Sequence, residues 1–380
     1  RQMRPLPIGS DGMRLINAFE KLDWHWWPSD NYINSEPYGE GRDACNFCGH
    51  VHMGCSKRAK ASTDLTYWPL ALNNGAVIET GARVRRVTTN SSGIATGADY
   101  VDAKGVERHQ PARSVVMAAN GIGTARLLLL SKSDSHPDGL ANSSGLVGKN
   151  LMFHPFAMIT GVFPEKMKTW QGPLSNFAMS QEFYETDESR GFVRGYTYQF
   201  QRSLGPGWVA NGGFTNAIPW GDSHHEELEK RLGSMMAIAV IGDDLPELHN
   251  SVELDPDLTD SDGVPAPRIN YTLSQNSRDL LDHGIKNATK VFETAGATDI
   301  YVDPLMRQSG WHLMGTARMG EDSSNSVVDK WGQAHDVDNL FIIDGSVFVT
   351  GAAVNPTPTI QALALRTADY IIANRTDLRG

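Results

Sequence analysis

The sequence predicts a mixed fold, α/β combined with α+β. Three observations predict it. Residues 115–131, VVMAANGIGTARLLLLS, read as a buried strand that runs through a Gly-x-Gly turn into a helix. Residues 155–270 carry short β-rich runs broken by Trp- and Gly-rich turns, the pattern of an antiparallel sheet. Residues 339–372 repeat the strand-turn-helix pattern, with NLFIIDGS entering a turn and TPTIQALALRTADYII forming a helix.

The chain has 380 residues, more than one simple core, so two packed domains or one composite domain are expected. An apolar fraction of 40% and a charged fraction of 21% suit a globular protein. The net charge of −10 argues against a nucleic-acid footprint and against an anionic membrane surface. No apolar run approaches the roughly 20 residues of a membrane-spanning helix. The chain opens Arg1-Gln2-Met3-Arg4-Pro5 in what reads as a loop, with no signal peptide. The expectation is a cytoplasmic protein whose N-terminal part is missing from this chain.

The elements follow in order. Leu15, Ile16, Phe19 and Leu22 have helical spacing within 11–24. Residues 25–62 lose periodicity and collect Trp, Pro, Gly and Cys, a long loop of the kind that carries function. Residues 76–120 read as a strand, a hairpin meander and the buried strand. Leu280, Leu281, Ile285, Ala288, Val291 and Phe292 form the face of a helix over 275–296, stopped by Gly296. In the last helix, Ile360, Leu363, Ala364, Ala368 and Ile371 form the apolar face. The organisation read from this is a helix and Cys-containing loop (1–75), a first strand-helix region (76–152), a sheet domain (153–317) and a C-terminal strand-helix region (318–380).

Several pieces bear chemistry. The Gly-x-Gly turn at Gly121 and Gly123 either seats a phosphate or ribose at helix N–H groups or is an ordinary βα turn. Asp344 ends an apolar strand ahead of Gly345, an arrangement that suits polar parts of a nucleotide. Thr357 reads as a helix cap with Pro358 at the first helical position. Asn355, held extended by Pro356, then stands ahead of a helix N-terminus, either bracing the turn or facing an anion there. His312, in SGWHLMGTARMG, is either a satisfied structural histidine or a neutral base. Cys45, Cys48 and Cys55 fall within eleven residues. They cannot all pair. With His50 and His52 they read either as a metal-free loop or as ligands for zinc or an iron–sulfur cluster.

Four stretches together resemble the glucose–methanol–choline (GMC) family of FAD-dependent oxidoreductases. GLVGKNLMFHP (145–155) is similar to the family's Gly-x-Asn-x-x-x-His element, and SVVMAANGIGTARLLLLS to its strand-turn-helix. WHLMGTARMG matches its His-x-x-Gly-Thr-x-x-Met element, and the segment from NLFIIDGS to ALRTAD its C-terminal element. The resemblance implies part of a FAD-binding Rossmann-like domain (76–152 and 318–380) plus an antiparallel-sheet substrate domain. It implies alcohol oxidation by proton abstraction and hydride transfer to flavin N5. Catalytic roles carry over to His312 and Asn355, and FAD contacts to Val84, Asp344, Gly345, Pro356 and Thr357.

The cysteine loop resembles a gluconate- and sorbitol-dehydrogenase subgroup that holds a three-iron cluster on Cys-x5-Cys-x3-Cys. Here Val51 stands at the middle ligand position. The family's GxGxxG segment does not precede residue 76, and Gly9 and Gly12 have no buried strand before them. Three explanations are open: this sequence is a fragment, the N-terminal FAD-binding part is a separate chain that assembles with this one, or FAD has been lost. The partners implied beside the alcohol substrate are that separate chain or an electron-transfer subunit. A hydroxynitrile-lyase-like protein and a non-catalytic, cofactor-less subunit are the alternatives. The Trp-rich segments either suit a sugar or an aromatic alcohol or are core.

Overall fold

A computed structural model describes the chain apart from residues 1–2, 50, 52–53, 173–175, 203–204, 211–217, 219, 308–309 and 375–380. The chain divides into two compact units. One comprises Arg1–Ile78, Pro155–Gly242 and Gln275–Ser309; the other comprises Glu79–His154, Asp243–Ser274 and Gly310–Gly380. Residues 243–274 and 310–317 thus fall in the second unit and not with the sheet read over 153–317.

The first unit is built on a six-stranded sheet. Its order is Trp27–Pro28, Asn176–Ser180, Tyr196–Arg202, Met235–Gly242, Phe156–Val162, Asp299–Asp303, and every neighbouring pair is antiparallel. Phe156–Val162 is buried at every residue, so both faces of the sheet are covered there. Two helices that pack against each other cover one of these faces. Gly9–Lys21 buries Leu15, Ile16 and Phe19, and the Phe19 ring meets Phe200 at 4.7 Å. Gln275–Ala295 buries Leu280, Leu281, Ala288, Val291 and Phe292, the face expected from its 3.6-residue period. Phe292 lies over Gly161, where a Cβ would stand 2.3 Å from the ring. Gly9 and Gly12 lie inside the first helix, which removes them from any phosphate turn.

The second unit contains the meander Arg83–Thr89, Ala95–Val101, Glu107–Pro111. A three-stranded sheet runs Gln333–Ala334, Val337–Ile342, Val115–Met117. The last two strands are parallel, with Leu340 opposite Val115 and Ile342 opposite Met117. The helix Asn120–Leu130 packs Ala125 and Leu128 into a core with Leu140, Leu151, Val328, Leu340 and Ile342. Burial of such side chains stabilises by about 1.5–3 kcal/mol each.

Three local expectations change. Val115–Met117 pairs on one side only among the described residues, and Val116 is 47% exposed, so this is an edge strand. The helix after it begins at Asn120, placing Gly121 and Gly123 inside its first turn. The final helix, Thr357–Ala373, buries only Thr367; Ala368 is exposed, and so are Leu365 and Ile372. No helix among the described residues is long and apolar enough to cross a membrane.

Candidate active site

The site is assembled around residues 312–316, within the second unit. Met152 and Met314 exchange both backbone hydrogen bonds, at 3.0 and 3.1 Å, as an antiparallel bridge. Gly315 makes that approach possible. Its φ is 92°, and a Cβ there would stand 2.0 Å from the Asn150 carbonyl oxygen. On the other side, a Cβ at Gly345 would stand 2.6 Å from the Leu313 carbonyl oxygen. The close approach expected of Gly345 is therefore made by the chain's own backbone. Thr316 donates its hydroxyl to the Gly121 carbonyl at 2.5 Å, tying the segment to the helix Asn120–Leu130.

The antiparallel register places His154 opposite His312, two residues from the bridge on each strand. Their Nδ1 atoms are 2.7 Å apart, and the rings meet edge-on at 4.7 Å. His154 Nε2 lies 3.2 Å from the Gly351 carbonyl oxygen. His312 is half-buried and holds φ 61°, a left-handed conformation that a non-glycine residue keeps only when its surroundings fix it. Burial, then the adjacent His154, push His312 down to about 4. Burial pushes His154 down to about 4 as well, against hydrogen bonds to Gly351 and Ala352 that raise it. Both rings are uncharged at neutral pH.

The other predicted residues lie in the same unit. Asp344 caps the turn that follows Val337–Ile342: one oxygen accepts from Ser346 N–H at 2.8 Å and the other from the Thr124 hydroxyl at 2.5 Å. The first-turn N–H groups of Ile122 and Gly123 are taken by the Asn120 side chain at 3.0 and 3.1 Å. The Gly-x-Gly turn is accordingly capped by its own asparagine and offers those donors to no phosphate. Pro356, buried, is the cap residue of the last helix and Thr357 its first residue, one position earlier than expected. No side chain caps that helix and no acid sits in its first turn. Asn355 is exposed just ahead of it.

Val84 is 43% exposed and lines a cavity of about 330 Å³ with Ala82, Ala119, Gly123, Leu127 and Arg126. Arg126 is held by Asp260 at 2.8 Å, which leaves the cavity a largely apolar wall.

The family model described as GMC oxidoreductase matches residues 33–156 in its N-terminal form and 246–364 in its C-terminal form. The 2-methyl-1,2-propanediol dehydrogenase of Mycolicibacterium austroafricanum is 42% identical, over 98% of this chain and 68% of that protein. The chain belongs to the GMC oxidoreductase family. It is an FAD-dependent oxidoreductase chain of the kind that acts on alcohol groups, as its residues led us to expect.

The fructose dehydrogenase large subunit of Gluconobacter japonicus is 29% identical, over 97% of this chain and 67% of that protein. Pyridoxine 4-oxidase from Mesorbium loti shares the fold, with a TM-score of 0.64 at 15% identity, over 96% of this chain and 71% of that one. This GMC chain spans about two thirds of the length of these relatives.

Sequence reasoning missed two residues. His154 stood in the quoted Gly-x-Asn-x-x-x-His element without a role, because nothing local links it to a histidine 158 positions away. Thr124 was missed similarly; only the fold brings it to Asp344. The cysteines show no ligand arrangement: no group of three or more His, Cys, Asp or Glu among the described residues is placed to hold a metal. Cys45, Cys48 and Cys55 are free thiols, and His50 and His52 lie outside the described residues.

Proposed function

We propose that this GMC chain oxidises a small polyhydroxy alcohol, with His312 taking the hydroxyl proton and Asn355 hydrogen-bonding the substrate oxygen. The observation that carries the reading is His312 itself: uncharged, half-buried, and fixed in a left-handed backbone conformation inside the family's own element. A neutral imidazole is in the form that accepts a proton. The same burial that keeps it unprotonated lowers its basicity, so the base is always available but individually weak. Asn355 stays uncharged at any pH and both donates and accepts hydrogen bonds. Relatives named for a propanediol and for fructose support a small hydroxylated substrate.

The residues present suit FAD. The largely apolar cavity beside Val84 fits a flat heterocycle such as adenine, and the helix start at Thr357, with no acid in its first turn, fits an electron-rich ring. In this reading Val84 contacts the adenine, Asp344 and Gly345 shape the turn that the cofactor crosses, and Pro356 and Thr357 lie beside the flavin. Bound FAD supplies the hydride acceptor. The six-stranded unit is the substrate side. A second polypeptide that passes electrons on is part of the proposal, supported by the relative named as a large subunit. An iron–sulfur cluster on Cys45, Cys48 and Cys55 is not part of it, and iron analysis of the purified protein decides that point.

The test is anaerobic mixing of the flavin-loaded protein with 1,2-diols and sugars while the flavin absorbance is followed. The expected outcome is bleaching that falls about 10²–10⁴-fold in His312→Ala. A flavin that no alcohol bleaches would overturn the reading and favour a lyase or a non-catalytic subunit.

A further inference from the structure

We propose that His154 is the positioning residue for His312, fixing which ring nitrogen of His312 carries the proton and leaving Nε2 bare to accept the substrate's. The inference rests on His312 being the base, as proposed above, and goes on to say which atom acts and what sets it.

One carbonyl group sets the protonation of both rings. The Gly351 carbonyl oxygen can only accept, and it lies 3.2 Å from His154 Nε2. His154 therefore carries its proton on Nε2. A neutral imidazole has a single N–H, so His154 Nδ1 holds a lone pair. The contact between the two Nδ1 atoms is 2.7 Å, too short for two lone pairs to face each other. His312 must donate there, from Nδ1–H. Its own Nε2 is then the atom with the lone pair.

The arrangement serves the step as well as the resting state. When the O–H bond of an alcohol breaks, its proton forms a bond to His312 Nε2, and His312 becomes a cation with two N–H groups. Nδ1–H still points at the His154 lone pair, so the new charge keeps its hydrogen bond without any side chain moving. His154 is 3% exposed and anchored by Gly351, so it has no freedom to turn its ring. The register of the Met152–Met314 bridge sets the pair, and Gly315 permits that register. Both histidines are held by backbone, which is what a tautomer lock requires.

The test reads the tautomer directly. Two-bond ¹H–¹⁵N correlation spectra of the histidine-labelled, flavin-loaded protein report which nitrogen of each ring is protonated. His312→Gln and His154→Gln assign the two rings among the twelve histidines. We expect Nδ1–H with bare Nε2 at His312, and the reverse at His154. His154→Phe keeps the ring volume but offers neither acceptor nor donor. His312 should then show both tautomers, and flavin reduction should slow roughly 10–100-fold, the usual effect of losing an orienting partner. His154→Gln presents a carbonyl oxygen to His312 and an N–H to Gly351, and should restore both readouts; it also covers a Phe variant that folds poorly. A wild-type His312 protonated on Nε2, or a tautomer unmoved in both variants, overturns the proposal whatever the rates do. If the tautomers are as stated but His312→Ala reduces flavin at the wild-type rate, the lock stands and the base role falls.

Discussion

Thr124 donates its hydroxyl proton to the Asp344 carboxylate across 2.5 Å, and the same oxygen accepts from Ala119 N–H at 3.2 Å. Thr124 is fully buried and Asp344 nearly so. The pair joins the start of the helix Asn120–Leu130 to the turn after Val337–Ile342. Those turns leave the carboxyl ends of two parallel strands, where ligands of open parallel sheets bind.

Thr124→Val keeps the shape and removes both bonds. It leaves a buried carboxylate oxygen and a backbone N–H each one partner short, at about 1–3 kcal/mol apiece. A loss near 3 kcal/mol is expected, lowering the melting temperature by roughly 5–10 °C. Thr124→Ser keeps the hydroxyl and should lose much less. Calorimetry on the two variants decides it; a Val variant as stable as the wild type would show that the bond contributes nothing.

A second prediction concerns Gly315. An added methyl group meets the Asn150 carbonyl oxygen at 2.0 Å, at a φ of 92° that side chains rarely adopt. The backbone cannot yield without parting the Met152–Met314 bridge and, with it, the two histidines. Gly315→Ala should cost more than about 3 kcal/mol, among the large effects for one substitution, and should slow flavin reduction in whatever protein still folds. Gly310→Ala is the control. Its nearest atom beyond the chain neighbours, Phe153 Cε1, would be 3.9 Å away, and its effect should be small. Equal melting curves for the two variants would refute the close-approach argument.

How much of this was legible in the sequence depended on range. The helices at 9–21 and 275–295 were readable because Leu15, Ile16 and Phe19, or Leu280, Leu281 and Ala288, repeat within one element and face one core. Val115–Met117 looked buried for the same reason, since its residues are apolar; exposure of Val116 depends on which strand lies beside it, and a run of three residues says nothing of that. Asp344 and His312 could be singled out from their local setting. Their partners could not: Thr124 stands 220 residues from Asp344, and His154 158 from His312. The last helix was placed one residue late because Thr and Pro both suit a helix start, and only backbone angles separate Pro356 as cap from Thr357.

The histidine pair also sets a pH dependence, and its sign can be worked out. Both rings are held near 4 in the folded chain by burial, against an ordinary value of 6.5. Above 6.5 both are neutral whether the chain is folded or not, and their preference for the folded state is at its full value. Between 6.5 and about 4 the unfolded chain takes up protons that the folded chain refuses, so stability is lost as the pH falls through that window. Urea denaturation at pH 7.5, 6 and 5 should therefore show the midpoint dropping. Titrating carboxylates add to the drop at the acid end, so the decisive comparison is with a His154→Gln, His312→Gln double variant. Its stability should fall less steeply between pH 6.5 and 5, by an amount corresponding to as many as two protons. Parallel curves for the two proteins would mean that the fold does not hold the histidines neutral below their ordinary value.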